Sequence, residues 1–143
     1  MQINKNGSAH WEGGLKDGSG TVSTESGALA EHPYGFKSRF EGVKGTNPEE
    51  LIGAAHAACF TMAMSKALGD AGLVADSLDT SARVTLEQEG DGFTITAVHL
   101  THKAKIPGAD QATFDKLATK VKAACPVSKV LNAAISLNAT LVP

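Results

Sequence analysis

Asn47-Pro48-Glu49-Glu50-Leu51-Ile52-Gly53-Ala54-Ala55-His56-Ala57-Ala58-Cys59-Phe60-Thr61-Met62-Ala63-Met64 is the stretch on which the fold turns. Its opening is that of a helix: Asn47 caps, Pro48 suits the first helical position, Glu50 completes a variant capping box, and Glu49 adds negative charge to the first turn. The pattern predicts a helix over residues 48–70, stopped near Gly69 and Gly72. Its middle is apolar on nearly every face, which marks a helix wrapped by protein on all sides. In a chain of 143 residues such enclosure points to a partner subunit, and the abundant alanine lets another helix or a sheet approach closely.

Upstream, residues 3–12 and 20–26 read as strands, with Gly13, Gly14, Asp17 and Gly18 supplying the turn. Those glycines do not cradle a dinucleotide phosphate, because Thr21-Val22-Ser23-Thr24 continues as strand rather than opening a helix. A further short strand is expected around residues 36–41, with Arg39 between Ser38 and Phe40.

Downstream, Gly90-Asp91-Gly92 joins strands at 80–89 and 93–105 into a hairpin. Phe93, Ile95 and Ala97 share one face and Val98 and Leu100 the other, so a bulge is expected near Ala97. A second helix is expected over 110–124. Pro126 biases Cys125 away from helical geometry, so the helix breaks there and restarts over 126–131. Ile135, Leu137, Ala139 and Leu141 alternate as a last strand. Without a repeat or linker, residues 1–143 read as one domain, long enough to bury a core without disulfides or metal.

Composition narrows the function. Apolar residues make up 42% of the chain, and 13 basic against 15 acidic residues leave a formal charge of -2. No basic surplus suits nucleic acid. The N-terminus lacks the apolar core of a signal peptide, and the nearly apolar stretch 51–64 falls short of the roughly 20 residues a membrane-spanning helix needs. A soluble, cytoplasmic protein with no nucleic-acid or membrane partner is therefore expected.

The two cysteines, Cys59 and Cys125, are the candidate chemistry. Under reducing conditions a thiol pair is more often transient, catalytic or sensing than architectural, although free cysteine also packs as a small hydrophobe. Cys59 lies in an apolar setting where desolvation alone raises its pKa, so reactivity there needs a cation. It is beyond the first helical turn, out of effective reach of the helix dipole. Arg39 could fill that role. His56 shares the face of Cys59, but reads first as a core histidine. Cys125, if it caps the helix after Pro126, has free N–H groups to favour its thiolate and looks the more acidic of the two on local electrostatics.

Other sites are weaker. His10, His32, His56, His99 and His102 form no ligand pair, and His99 and His102 point to opposite faces of a strand. Neither cysteine belongs to a C-x-x-C unit. Lys116, Lys120 and Lys122 read as a solvated face, and Glu87 and Glu89 as surface residues.

The run from Asn47 to Phe60 and the later Cys125-Pro126-Val127-Ser128 resemble the osmotically inducible protein C and organic hydroperoxide resistance family, most closely its osmotically inducible protein C branch. The likeness extends to His10-Trp11-Glu12-Gly13, Gly20-Thr21-Val22-Ser23-Thr24 and Pro33-Tyr34-Gly35-Phe36. It implies an α+β fold in which antiparallel sheets wrap central apolar helices in an intertwined homodimer. It further implies a thiol peroxidase that reduces organic hydroperoxides, and hydrogen peroxide more weakly, without metal or prosthetic group. By that resemblance Cys59 is the peroxidatic cysteine, Cys125 the resolving one, Arg39 the activating arginine and Glu49 the carboxylate that orients it. A thiol or dithiol, a lipoylated protein among the candidates, reopens the Cys59–Cys125 disulfide. The alternative from another class is a redox sensor or binding protein that forms the disulfide without turnover.

One distance constrains the site. Glu49 and Cys59 are ten residues apart, roughly 15 Å along an uninterrupted helix, and on different faces. Their cooperation requires a helix break near Gly53, a second subunit, or an arginine that spans much of the gap. Phe60, Met62 and Leu51 could line an apolar pocket, though core packing suits most of them.

Overall fold

The computed structural model describes residues 1–143 as six strands and four helices. They form two compact units, Met1–Leu51 and Ile52–Pro143.

In the first unit, β1 (Gly7–Glu12), β2 (Ser19–Thr24) and β3 (His32–Tyr34) form an antiparallel sheet in that order. Gly13 takes φ 87°, a left-handed conformation that glycine adopts without steric cost, and the Gly18 N–H donates to Gly14 O at 2.8 Å to close the β1–β2 turn. Gly20 has a different task. A Cβ there would lie 2.6 Å from the Trp11 ring and 2.7 Å from the Tyr34 ring, so its absence lets these rings meet across β2 with centroids 5.5 Å apart.

The strand expected over residues 36–41 is instead a short helix, α1 (Phe36–Phe40). Alternation of Phe36, Ser38 and Phe40 suits a strand, but the two phenylalanines are also an i,i+4 pair, and their rings pack at 5.0 Å. Ser38 decides the matter: its hydroxyl oxygen accepts from the Gly35 N–H at 3.0 Å and lies 3.0 Å from the carbonyl oxygens of Gly35 and Thr46. Non-local backbone thus supplies the partner that selects the helix.

The long helix α2 (Pro48–Asp70) has the expected bounds, and the Glu50 N–H donates to the Asn47 side chain at 2.8 Å as the cap requires. It runs unbroken through Gly53, which removes the helix break as a way to bring Glu49 toward Cys59. Its buried positions, Gly53, His56, Phe60, Met64 and Leu68, are spaced by three or four and make a single stripe. The helix is therefore covered on one face within the chain, not on all sides. Ala54, Ala55, Ala58 and Met62 are exposed, Met62 to 77%. By length and composition alone α2 could also cross a membrane, because the helix continues past the stretch 51–64 to Asp70.

The second unit is built on β4 (Ser77–Glu89), β5 (Gly92–Lys105) and β6 (Ala134–Val142). The β4–β5 hairpin turns at Gly90, φ 61°. Thr85 pairs with Ala97 and Leu86 with Ile95, which leaves Thr96 as the extra residue of the expected bulge. The sheet is mixed rather than wholly antiparallel: β6 runs parallel to β5. A parallel pair needs a crossover, and α3 (Gln111–Ala124) with α4 (Pro126–Val130) supplies it. Phe60, Met64 and Leu68 of α2, Val98, Leu100 and Ala104 of β5, and Phe114, Ala118 and Val121 of α3 form the hydrophobic core.

Candidate active site

Two groups of side chains stand out, one in each unit. In the first, Arg39 on α1 grips Glu49 in the first turn of α2. The Arg39 Nε–H and Nη2–H both donate to Glu49 Oε1, at 3.0 and 2.8 Å, and Nε lies 3.4 Å from Oε2. Glu49 is the more buried, its side chain 12% exposed against 37% for Arg39. The guanidinium also lies 5.2 Å from the Phe40 ring centroid. A two-donor grip fixes the plane of a guanidinium in a way a point charge cannot. Arg39 also borders a recess of about 300 Å³ walled by Trp11, Leu15, Tyr34, Phe36 and Phe40.

In the second unit, α2 carries Cys59 one residue before the core residue Phe60, while Cys125 sits where α3 ends and α4 begins. Pro126 explains the joint, because it holds Cys125 in an extended conformation, φ −55° and ψ 128°. Both cysteines are free thiols, Cys59 half-buried and Cys125 only 1% exposed. The two thiols come close enough to act on each other's ionisation.

Their acidities are driven apart. Burial pushes the Cys59 thiol up, the neighbouring Cys125 thiol adds to that, and the Val127 backbone opposes it. Burial acts in the same upward sense on Cys125, but is outweighed by the Cys59 thiol, the N–H and hydroxyl of Ser128 and the Val127 N–H, so its pKa is lowered. Cys125 occupies the N-cap of α4, but its sulfur accepts no capping hydrogen bond. The N–H groups act on it as oriented dipoles. Within this unit Cys125 is thus the thiol whose pKa is lowered and Cys59 the one whose pKa is raised, the direction that local electrostatics led us to expect.

His56 and Ser128 form a buried polar pair. His56, wholly buried on the stripe of α2, places Nε2 2.7 Å from Ser128 Oγ, and Ser128 is itself 9% exposed. Desolvation lowers the His56 pKa, which favours neutral imidazole near pH 7. His56 is thus the core histidine expected, but satisfied at one nitrogen only: Nδ1 has no partner. The role of Ser128 was not evident from sequence, although its position three residues after Cys125, on a helix begun by proline, was the available signal.

Of the apolar residues considered for a pocket, Phe60 is core, Leu51 is half-buried, and Met62 faces outward into a groove with Ala57, Ala58 and Thr61. Among the histidines, His102 is buried and His99 bonds Ser136 at 2.6 Å on the other face of β5. No group of three His, Cys, Asp or Glu side chains is arranged to hold a metal. Glu87, Glu89, Lys116 and Lys120 are exposed, and Lys122 is half-buried.

An α+β chain with this arrangement of elements is found in solved structures. An OsmC-like protein from Mycoplasma pneumoniae matches with a TM-score of 0.76 at 17% identity, over 100% of both chains. An organic hydroperoxide resistance protein from Elizabethkingia anophelis matches with a TM-score of 0.72 at 25% identity, over 99% of this chain and 100% of that one. The chain belongs to the OsmC-like protein family, whose model matches residues 41–140, a span that includes Glu49, Cys59 and Cys125 and begins after Arg39. It is 59% identical over 138 residues to Peroxiredoxin OsmC of Escherichia coli K12, covering 96% of each protein. It is 35% identical over 101 residues to an organic hydroperoxide resistance protein of Xanthomonas axonopodis pv. citri, covering 70% of this chain and 69% of that protein.

Proposed function

We propose that this protein is a cytoplasmic, homodimeric, thiol-dependent peroxidase that reduces organic hydroperoxides, and hydrogen peroxide more weakly. The observation that carries the reading is that Cys59 and Cys125, two free thiols far apart in sequence, come close enough to act on each other's ionisation, in a chain closely similar to a protein named as a peroxiredoxin.

Cys59 is the attacking thiol. Its thiolate takes the outer oxygen of the peroxide, the O–O bond breaks, the alcohol leaves with a proton, and the sulfur becomes a sulfenic acid. Because burial opposes ionisation of Cys59, the step needs a cation, and Arg39 with its plane fixed by Glu49 is that cation. It holds the thiolate and then the charge that grows on the departing oxygen, a role worth most where water is excluded. Cys125 next attacks the sulfenic acid, water is released, and a Cys59–Cys125 disulfide closes. A thiol or dithiol, such as the lipoyl group of a lipoylated protein, reopens it by exchange.

The active site belongs to a single functional domain that is completed in the homodimer. Two features support dimerisation. The face of α2 bearing Ala54, Ala55, Ala58 and Met62 is apolar and open, and the first unit buries little of its own surface.

Replacing Cys59 by serine tests the mechanism. Under saturating dithiol, Cys59→Ser is expected to lose cumene hydroperoxide consumption by about 10³-fold or more. Turnover at the wild-type rate would sink the proposal.

A further inference from the structure

His102 takes no part in the reaction as described, yet it is wholly buried and heads a line of hydrogen bonds. On β5 it stands directly opposite Thr80 of β4, with its Nδ1 2.8 Å from Thr80 Oγ1. Thr80 Oγ1 lies 2.7 Å from Thr61 Oγ1 on α2, and Thr61 Oγ1 lies 2.7 Å from the Ala57 carbonyl oxygen one turn back. Chemistry places the protons. A hydroxyl has one proton and a carbonyl only accepts, and two oxygens this close repel unless a proton lies between them. The Thr61 proton therefore goes to Ala57 O, Thr80 donates to Thr61, and His102 donates through Nδ1–H. Nε2 is then a bare lone pair, and it is the ring nitrogen without a partner. An orphaned buried N–H is rarer than an under-satisfied acceptor, so both ends of the line agree on its direction.

The line ties down the turn of α2 that carries Cys59. Successive helix residues are rotated by roughly 100°, so Cys59 and Thr61 lie on opposite flanks of Phe60. That ring is wholly buried and meets the His102 ring edge-on at 5.0 Å. A roll of α2 about its axis that lifts one flank lowers the other. Contacts along the apolar stripe are non-directional and resist such a roll weakly, whereas hydrogen bonds prefer a set length and angle. With Thr61 tied to the sheet, the half-buried thiol on the other flank keeps one depth.

We propose that Thr61, Thr80 and His102 are positioning residues for Cys59, a one-way hydrogen-bond line that fixes the roll of α2 and with it the place of the attacking thiol. None of the three exchanges a proton or an electron with the peroxide. They hold the sulfur at the position from which it reaches the outer peroxide oxygen, and reaction rates are steep in such placement.

The role of the thiol rests on the peroxidase reading above, but the line itself can be measured without peroxide. Long-range proton–nitrogen NMR correlations of the imidazoles should show His102 as the Nδ1–H tautomer near pH 7; the Nε2–H form would overturn the line. Cys125→Ser leaves Cys59 as the sole thiol and isolates the first step. On that background Thr61→Val keeps the shape and loses the hydroxyl. It is expected to raise Cys59 alkylation by iodoacetamide about threefold, because a looser helix presents the thiol more often, and to slow dimedone-trapped sulfenate formation from cumene hydroperoxide about tenfold. Thr61→Ser, which keeps the hydroxyl, is expected to restore both rates. Thr80→Val should match Thr61→Val, and the double variant should add little to either single one. Asp110→Ala, which removes the α3 cap, is the control for lost stability alone and should leave both rates unchanged. An unchanged sulfenate rate in Thr61→Val, or equal slowing in Thr61→Val, Thr61→Ser and Asp110→Ala, would overturn the positioning role. If Thr61→Val fails to fold by circular dichroism, the comparison of Thr80→Val with Thr80→Ser decides in the same way. Failure of the peroxidase reading looks different: even the Cys125→Ser parent would form no sulfenate at Cys59, while alkylation of that thiol still responded to Thr61 and Thr80.

Discussion

In Met1–Leu51 only Gly20 and Asn47 are buried, whereas Ile52–Pro143 contains every residue of the hydrophobic core. The first unit holds the fixed charge, Arg39 on Glu49; the second holds the thiols. An arginine stays charged wherever it is put, so its unit need only aim it, and a partly exposed ion pair on a short helix is enough. A thiol must be tuned. The second unit does so by burying Cys125 beside donors that lower its pKa while half-burying Cys59, whose pKa is raised. The contrast teaches that the two halves of the proposed chemistry depend on different physics, and substitutions should separate them.

The largest effect is expected in the second unit. Phe60→Ala removes a wholly buried ring from beside Cys59 and should cost about 3–5 kcal/mol in urea unfolding. Leu15→Ala in the first unit, where the side chain is 67% exposed, should stay within about 0.5 kcal/mol. Equal losses would erase the distinction between a unit with a core and one without.

Next comes the charge. Arg39→Ala is expected to lower cumene hydroperoxide turnover about 10²-fold, the scale of losing one pre-organised electrostatic group, with Glu49→Gln falling in the same direction because the guanidinium loses its orienting partner. Full activity in both variants would detach the first unit from catalysis and leave the cation to be sought elsewhere.

The smallest effect is a pH dependence confined to the second unit. Desolvation lowers the pKa of both buried histidines, His56 and His102, and for His102 the nearby Asp79 opposes this only in part. The unfolded chain, with ordinary imidazoles near 6.5, therefore binds protons that the folded protein refuses. Stability should fall as pH drops below that value, by at most about 1.4 kcal/mol per pH unit for each histidine. Urea midpoints at pH 7 and 5.5 measure it, and His102→Gln should flatten the slope. A stability that is level or rises toward acid would show that these rings are not held neutral.

Much of this was legible in the chain because it is local. The capped start of α2, the glycine turn of the hairpin, the bulge opposite Thr85 and the break at Pro126 are each decided by a few neighbouring residues. The misreadings arose where the deciding partner was remote. Phe36 to Phe40 alternates like a strand, and the contact of Ser38 with Thr46 makes it a helix. β6 has the alternation of any half-buried strand, which is the same for parallel and antiparallel neighbours, so its direction had to come from the crossover through α3 and α4.

The sequence by itself determined most of the elements, the two cysteines and the resemblance that assigns them roles, since side-chain identity and short-range pattern carry that information. Tertiary structure decided that α2 buries one stripe and leaves an alanine face open, that Cys59 and Cys125 act on each other's ionisation, and that His56 meets Ser128. Such pairings depend on residues distant in the chain reaching within hydrogen-bond distance, and the acidity of a thiol is set by what surrounds it in space.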